Sequence, residues 1–269
     1  MSRAPRFPLG LDRMQAQAST RSPAALLMRP QRPLEQAQQD KSRQSISSGL
    51  GMDSAAVRRR MVDRLRASGL KCEPVLAALA AVERHRFVDS ALAAQAYEDT
   101  SLPIGLSQTI SKPSVVGHML ALLFEGVQAR ALGHLGRVLE IGTGCGYQAA
   151  LLMQLSTSVV SIERLLALHE KARDKLADLR QDNLLLIFGD GRGGHAPRAP
   201  YLSIIAAAGG EELPAAWLDQ LAVGGRLVAP IGAGARGSQR LLVVDRTPLG
   251  LRTHEEDAVH FVPLKSGIE

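Results

Sequence analysis

The stretch Glu140-Ile141-Gly142-Thr143-Gly144-Cys145-Gly146 sets one carboxylate beside three glycines spaced two apart. Without a Cβ, a residue lets the chain turn sharply and lets a ligand lie against bare amides. A helix-like run, GYQAALLMQL, follows at once, and a helix N-terminus favours a negative group beside the turn. The acid favours a positive one. A dinucleotide fingerprint does not fit, because the third glycine comes one residue early and Tyr147 follows it. A P-loop is excluded, because no Gly-Lys-Ser/Thr is present. A ligand that holds an ammonium, a sulfonium and a carboxylate close together fits both signs of charge. S-adenosylmethionine is such a ligand.

Two further acids stand where the nucleoside half of that ligand needs acceptors. Glu163 ends the run SVVSIE, where a carboxylate can accept both ribose hydroxyls. Asp190 ends NLLLIFGD, where it can accept from the adenine amino group. Either acid alone could equally cap the helix that follows. A glycine turn, an acid and an acid at three successive strand ends favour the cofactor.

The elements that must position these residues alternate. RVLEI, SVVSIE, NLLLIFGD, YLSIIAAA and GGRLVAPIG read as strands. GYQAALLMQL, LLALHEKARDKLADLR and PAAWLDQL read as helices between them. That order predicts an α/β fold with a doubly wound, mostly parallel sheet, whose ligands lie beyond the strand carboxyl ends. QRLLVVDRT and a last segment near AVHFVPL have no helix between them, which predicts an antiparallel C-terminal end to the sheet. Ahead of the sheet, SAAVRRRMVDRLRASG and EPVLAALAAV read as helices, with Gly69 as a C-cap and Pro74 in a first turn. The division expected is a disordered leader over 1–52, a helical and substrate-loop segment over 53–125, and a cofactor-binding domain over 126–269.

Composition narrows the class. The chain is 45% hydrophobic but 3% aromatic, so Leu, Val, Ile and Ala must build its core. Residues 1–50 carry eight Lys/Arg against three Asp/Glu; the net charge of +6 therefore leaves only +1 for the rest, a poor match to nucleic-acid binding. No apolar run reaches the length of a membrane span. Cys72 and Cys145 match no metal spacing and the histidines form no HExxH pair, so no metal and a reducing compartment are expected.

The methyl acceptor is not named by the cofactor. After the fourth strand the chain reads AAAGGEELP, without the Asn/Asp-Pro-Pro-Tyr loop of base and amide methylation. Neither cysteine is placed to attack a cytosine. The informative segment is LPIGLSQTISKP, residues 102–113, a polar, proline-bounded stretch that reads as a loop. It offers the amide of Gln108 and the hydroxyls of Thr109 and Ser111. Ser111 before Lys112-Pro113 also reads as a helix N-cap, and both roles stay open.

Here the sequence resembles the protein-L-isoaspartate O-methyltransferase family. The likeness runs from about Arg58 to Leu264, through FVD, LPIG…QTIS, VLEIGTGCGYQAA, SIER, GDG, LDQLAVGGRLVAPIG and HFVPL. The resemblance implies a class I methyltransferase fold and a cytoplasmic repair enzyme. Such an enzyme moves the methyl of S-adenosylmethionine to the free α-carboxylate of isoaspartyl residues in aged proteins; the ester then closes to a succinimide, which partly reopens to aspartate. It implies Ser111 in the active site, and Gln108, Thr109 and Ile110 on the substrate. It assigns the cofactor to Glu140, Gly142, Thr143, Gly144, Gly146, Glu163, Asp190 and Gly191. A carboxylate acceptor is already ionised at neutral pH, so the absence of a catalytic dyad agrees with this chemistry. Three departures stand out: Ser107 in place of glycine, Tyr201-Leu202-Ser203 in place of an aromatic-Asp start, and Gly209-Gly210 in place of alanine and proline. The rivals are another class I methyltransferase, acting on RNA or a small molecule, and a binding protein without catalysis.

Overall fold

The computed structural model describes residues 55–179, 182–232 and 239–269. The leader expected over 1–52 lies outside them. Helix α1, Ala55–Ala67, ends as its sequence suggests. Gly69 adopts φ +112°, Leu70 N donates to Leu65 O (3.0 Å) and Gly69 N to Arg66 O (3.1 Å), a Schellman closure. Helix α2 is Glu73–Ala81, with Pro74 in its first turn.

Residues 102–110 are not the loop expected. They form a hairpin of β1, Leu102–Gly105, and β2, Gln108–Ile110. Its two turn residues, Leu106 and Ser107, have φ of 51° and 57°. A two-residue turn with both φ positive suits the twist of the strands but favours Asn and Gly. Ser107 keeps the bend that glycine would make, at a conformational cost. Helix α3, Pro113–Phe124, follows, and then a short helix α4, Val127–Leu132, that the sequence did not announce.

The α/β alternation comes next: β3, Arg137–Ile141; α5, Tyr147–Leu155; β4, Ser158–Glu163; α6, Leu166–Ala177; β5, Leu184–Phe188; β6, Tyr201–Ala206; the two-residue β7, Ala208–Gly209; α7, Ala215–Gln220; and β8, Leu221–Ile231. The chain closes with β9, Gln239–Thr247; β10, Gly250–Val259; and the two-residue β11, Val262–Pro263. The main sheet has the order β10-β9-β8-β6-β3-β4-β5. Strands β3, β4, β5, β6 and β8 run parallel, and β9 and β10 are antiparallel to their neighbours. The expected antiparallel end is there, but its last strand is β10. The HFVPL segment instead lays β11 parallel to β7.

The order reverses at β3, with β4 on one side and β6 on the other, so the crevice of a doubly wound sheet opens at the ends of these strands. One face of the sheet packs Leu76 and Leu79 of α2, Met119 and Leu123 of α3, and Leu151 and Leu152 of α5 in a single cluster with Val138, Val159 and Val228. Residues on both sides of position 125 thus share one core. The other face packs Trp217 and Leu221 against Leu139, Ile141 and Ile204.

Arg226 on β8 ties α3 to this frame. It donates twice to Asp245 of β9, at 2.7 and 2.8 Å, and once to Leu122 O at 2.9 Å. Removing one partner of such a pair strands a largely buried charge. Asp245→Ala should therefore cost on the order of 3 kcal/mol of unfolding free energy by denaturant titration; an unchanged midpoint would show that Arg226 does not depend on this partner.

Candidate functional site

Gly142, Gly144 and Gly146 all have positive φ, between 57° and 90°. At Gly146 a Cβ would also run into Leu176 of α6. The turn therefore needs glycine for its backbone and for the packing of the helix behind it. Gly142, Thr143 and Gly144 line a cavity of about 300 Å³ at the strand ends.

Glu163 closes the turn from the next strand. Its Oε2 accepts Gly144 N at 2.8 Å and its Oε1 accepts Leu165 N at 3.0 Å. The carboxylate is buried at the cavity wall. Glu140 lies deeper and is wholly enclosed. Ser161 Oγ donates to its Oε2 at 2.5 Å and is joined in turn to Thr143 Oγ1 at 2.6 Å. Its Oε1 has no hydrogen-bond partner, nor has the buried Nε2 of Gln148, which lines the cavity. Burial pushes the Glu140 carboxyl up to about 8, against the hydrogen bond from Ser161.

Asp190 is placed differently. Its Oδ1 accepts Arg192 N at 2.9 Å and its Oδ2 accepts Gly267 N at 2.7 Å. It caps a turn and pins the C-terminal segment, while its neighbour Gly191 faces the cavity. A Cβ on Gly191 would collide with Ile141, so that position too must stay bare.

The hairpin forms the opposite wall. Gln108, Thr109, Ile110 and Ser111 all line the same cavity as the glycine turn. Ser111 does not cap α3: the N-cap is Lys112, without a side-chain bond. Asp99 serves instead, accepting Ser114 N at 2.9 Å and Ser114 Oγ at 2.8 Å. The hydroxyls of Thr109 and Ser111 stay without a partner among the described residues.

Sequence reasoning missed part of the wall. Tyr147 and Gln148 at the start of α5 and Val262 to Lys265 complete the cavity. The last four are held by Gly209, whose carbonyl accepts Leu264 N at 2.7 Å. A Cβ on Gly209 would run into Gln239, whose Oε1 accepts Phe261 N at 2.7 Å. The Gly209 departure thus matches a glutamine that fastens the closing segment. Ser203 is also accommodated, donating to Leu135 O at 2.9 Å.

The sequence model of the family described as protein-L-isoaspartate(D-aspartate) O-methyltransferase matches residues 56–269. The chain belongs to the protein-L-isoaspartate O-methyltransferase family. A relative of that name from Methylibium petroleiphilum is 57% identical over 267 residues, 99% of this chain and 97% of its own. Another from Leptothrix cholodnii is 60% identical over 240 residues, 89% and 84%. A solved protein-L-isoaspartate O-methyltransferase superposes with a TM-score of 0.69 at 26% identity, over 77% of this chain and 66% of that one. A Plasmodium falciparum chain assigned to the same class, solved with S-adenosyl-L-homocysteine, shares the fold with a TM-score of 0.66 at 22% identity, over 77% and 98%.

S-adenosylmethionine, the methyl donor of this family, suits the residues present. The glycine cradle is open at the backbone, and two buried polar atoms, Glu140 Oε1 and Gln148 Nε2, are left without partners beside it. The elevated Glu140 carboxyl carries a stability consequence. A carboxyl whose folded-state pKa lies above its ordinary 4.5 favours folding fully below that value and loses the contribution as pH rises toward 8. In the cofactor-free protein, stability should therefore fall between about pH 5 and about pH 8.5, and Glu140→Gln should flatten that slope in denaturant titrations. An identical slope in the variant would place the titration elsewhere.

Proposed function

We propose that this enzyme repairs damaged proteins in the cytoplasm by methylating L-isoaspartyl carboxylates at the junction of the hairpin and the glycine turn. The observation that carries the reading is the shared cavity: Thr109 and Ser111, with free hydroxyls, face Gly142, Gly144 and Glu163 across it. The free thiols of Cys72 and Cys145 agree with a reducing compartment.

S-adenosylmethionine, when bound, supplies a methyl group on a cationic sulfonium. Gly142 to Gly146 and the N-terminus of α5 receive its carboxylate end, and Glu140 lies on the side of its ammonium. Glu163, fixed by two backbone amides, offers its remaining lone pairs to the ribose hydroxyls. Gly191 gives the nucleoside a flat floor, and Asp190 anchors the C-terminal segment that walls it in.

On the acceptor side, Ser111 and Thr109 donate to the isoaspartyl carboxylate, and Gln108 and Ile110 bound its approach. The carboxylate is ionised before it arrives, so no base has to remove a proton. The hairpin's work is alignment and exclusion of water, which strips the acceptor of the hydration that would shield it. Neutral hydroxyls suit that work better than an ammonium or guanidinium in direct contact, which would stabilise the free carboxylate too well. The aspartyl carboxylate, one methylene farther from its backbone, cannot take the same line.

Radiolabelled methyl transfer tests this. The protein should label an isoaspartyl peptide and not its aspartyl counterpart. Ser111 caps nothing, so Ser111→Ala should leave stability within about 0.5 kcal/mol. It should lower kcat/KM roughly tenfold to a hundredfold, the loss of one hydrogen bond to a charged group. Ser111→Asp should be lower still while binding the cofactor normally. An Asp variant with wild-type turnover would remove Ser111 from the acceptor site.

A further inference from the structure

Arg84 is the one fully enclosed guanidinium among the described residues. It lies between α2 and the hairpin, in a short 3-10 turn. Its Nε donates to Ala96 O at 2.7 Å, and its Nη2 donates to Ser111 O at 2.9 Å and more weakly to Thr100 O at 3.4 Å. The guanidinium carbon lies 4.9 Å from the centre of the Tyr147 ring. Nη1 has no hydrogen-bond acceptor, and neither has the buried phenolic oxygen of Tyr147.

Two features set this group apart. First, it forms no ion pair among the described residues. Arginine stays charged in proteins, and a buried charge without a counter-ion is costly. The nearest influential carboxylate, Asp99, is engaged with Ser114. Burial pulls the Arg84 pKa below its ordinary value, with Tyr147 and Cys145 opposing that pull. Second, both cavity residues it touches belong to the reaction site. Ser111 is its hydrogen-bond partner and Tyr147 its ring partner, and each lines the cavity. Arg84 itself does not reach the cavity.

We infer that Arg84 is a positioning residue that reserves the acceptor pocket for a carboxylate, by fixing the Ser111 backbone from behind and giving the pocket a positive potential. The inference rests on the functional reading above. The missing counter-ion is then the substrate itself. Interaction through one layer of protein attracts the anion without a direct hydrogen bond, and so leaves its lone pairs free to attack. Low-dielectric surroundings make such a charge felt at this range. The same side chain binds Ala96 and Thr100, and Asp99 between them holds Ser114. Arg84 and Asp99 therefore grip both ends of the segment that carries Ser111.

The experiment compares Arg84→Lys and Arg84→Met with the wild type in methyl transfer to an isoaspartyl peptide, beside S-adenosylhomocysteine affinity and thermal midpoint. The expected result is a KM for the peptide raised by at least roughly tenfold in Arg84→Met. The lysine variant should recover part of it because it restores charge without the fork. Cofactor affinity should stay within about threefold of wild type. A purely structural arginine would lower the active fraction and leave KM alone. An unchanged peptide KM in folded Arg84→Met, or a lysine variant no better than methionine, overturns the inference. Should the variants not fold, the wild type decides: with S-adenosylhomocysteine bound, the isoaspartyl peptide should bind at least roughly tenfold tighter than its isoasparaginyl amide. Equal affinities overturn the positive potential. A wild type that methylates no isoaspartyl peptide would instead strike the functional reading, a separate outcome.

Discussion

A carboxylate held by a backbone amide across two strands governs the donor half of this protein. Glu163 at the end of β4 accepts Gly144 N from the turn after β3. The bond can form only because β3 and β4 are parallel neighbours in register, with Ile141 opposite Ile162. It also requires Gly144 to hold a left-handed backbone, which presents its amide to the neighbouring strand. The turn, the helix start and the acid thus form one rigid corner. A ligand that binds there meets groups already arranged, so little ordering entropy opposes binding.

The acceptor half is built by different means. The hairpin of β1 and β2 is not hydrogen-bonded into the main sheet, though its Leu102 and Ile110 pack into the same core. It is fixed from behind, where Arg84 gathers three carbonyls and Asp99 caps α3, and it shares its cavity with the C-terminal segment that Gly209, Gln239 and Asp190 fasten. The two halves come from distant parts of the chain and meet in one cavity. This arrangement suits a reaction whose main demand is alignment. Neither half needs an acid or base in contact with the reacting atoms; each needs only to be stiff.

The donor half was the more legible in the sequence. Strands β3, β4 and β5 are apolar runs that lead into Gly142, Glu163 and Asp190, because a buried parallel strand must be apolar and its ligand must lie past its end. The acceptor half was hidden by its chemistry. Leu106 and Ser107 carry none of the turn signals that mark a hairpin, so β1 and β2 read as loop. Ser111 kept a cap reading beside its active-site one because a local pattern cannot reveal that Asp99, fifteen residues before Ser114, takes the capping place. For Asp190 the sequence offered an adenine acceptor or a cap, and could not show its second protein partner, Gly267, 77 residues away. Strand β10 was missed because it is an exposed edge, GLRTHEEDAV, with no apolar alternation. For Ser111 and Asp190 the deciding contact was between residues far apart in the chain.

On the proposed function, donor and acceptor are held in line by these two separate walls. Its most direct test is a crystal structure with S-adenosylhomocysteine and an isoaspartyl peptide bound together. The peptide carboxylate should lie within hydrogen-bond distance of Ser111 Oγ and Thr109 Oγ1, one oxygen facing the homocysteine sulfur across the gap a methyl group would fill, with the ribose hydroxyls on Glu163. A carboxylate bound away from residues 108–111, or a ribose that leaves Glu163 untouched, would contradict it.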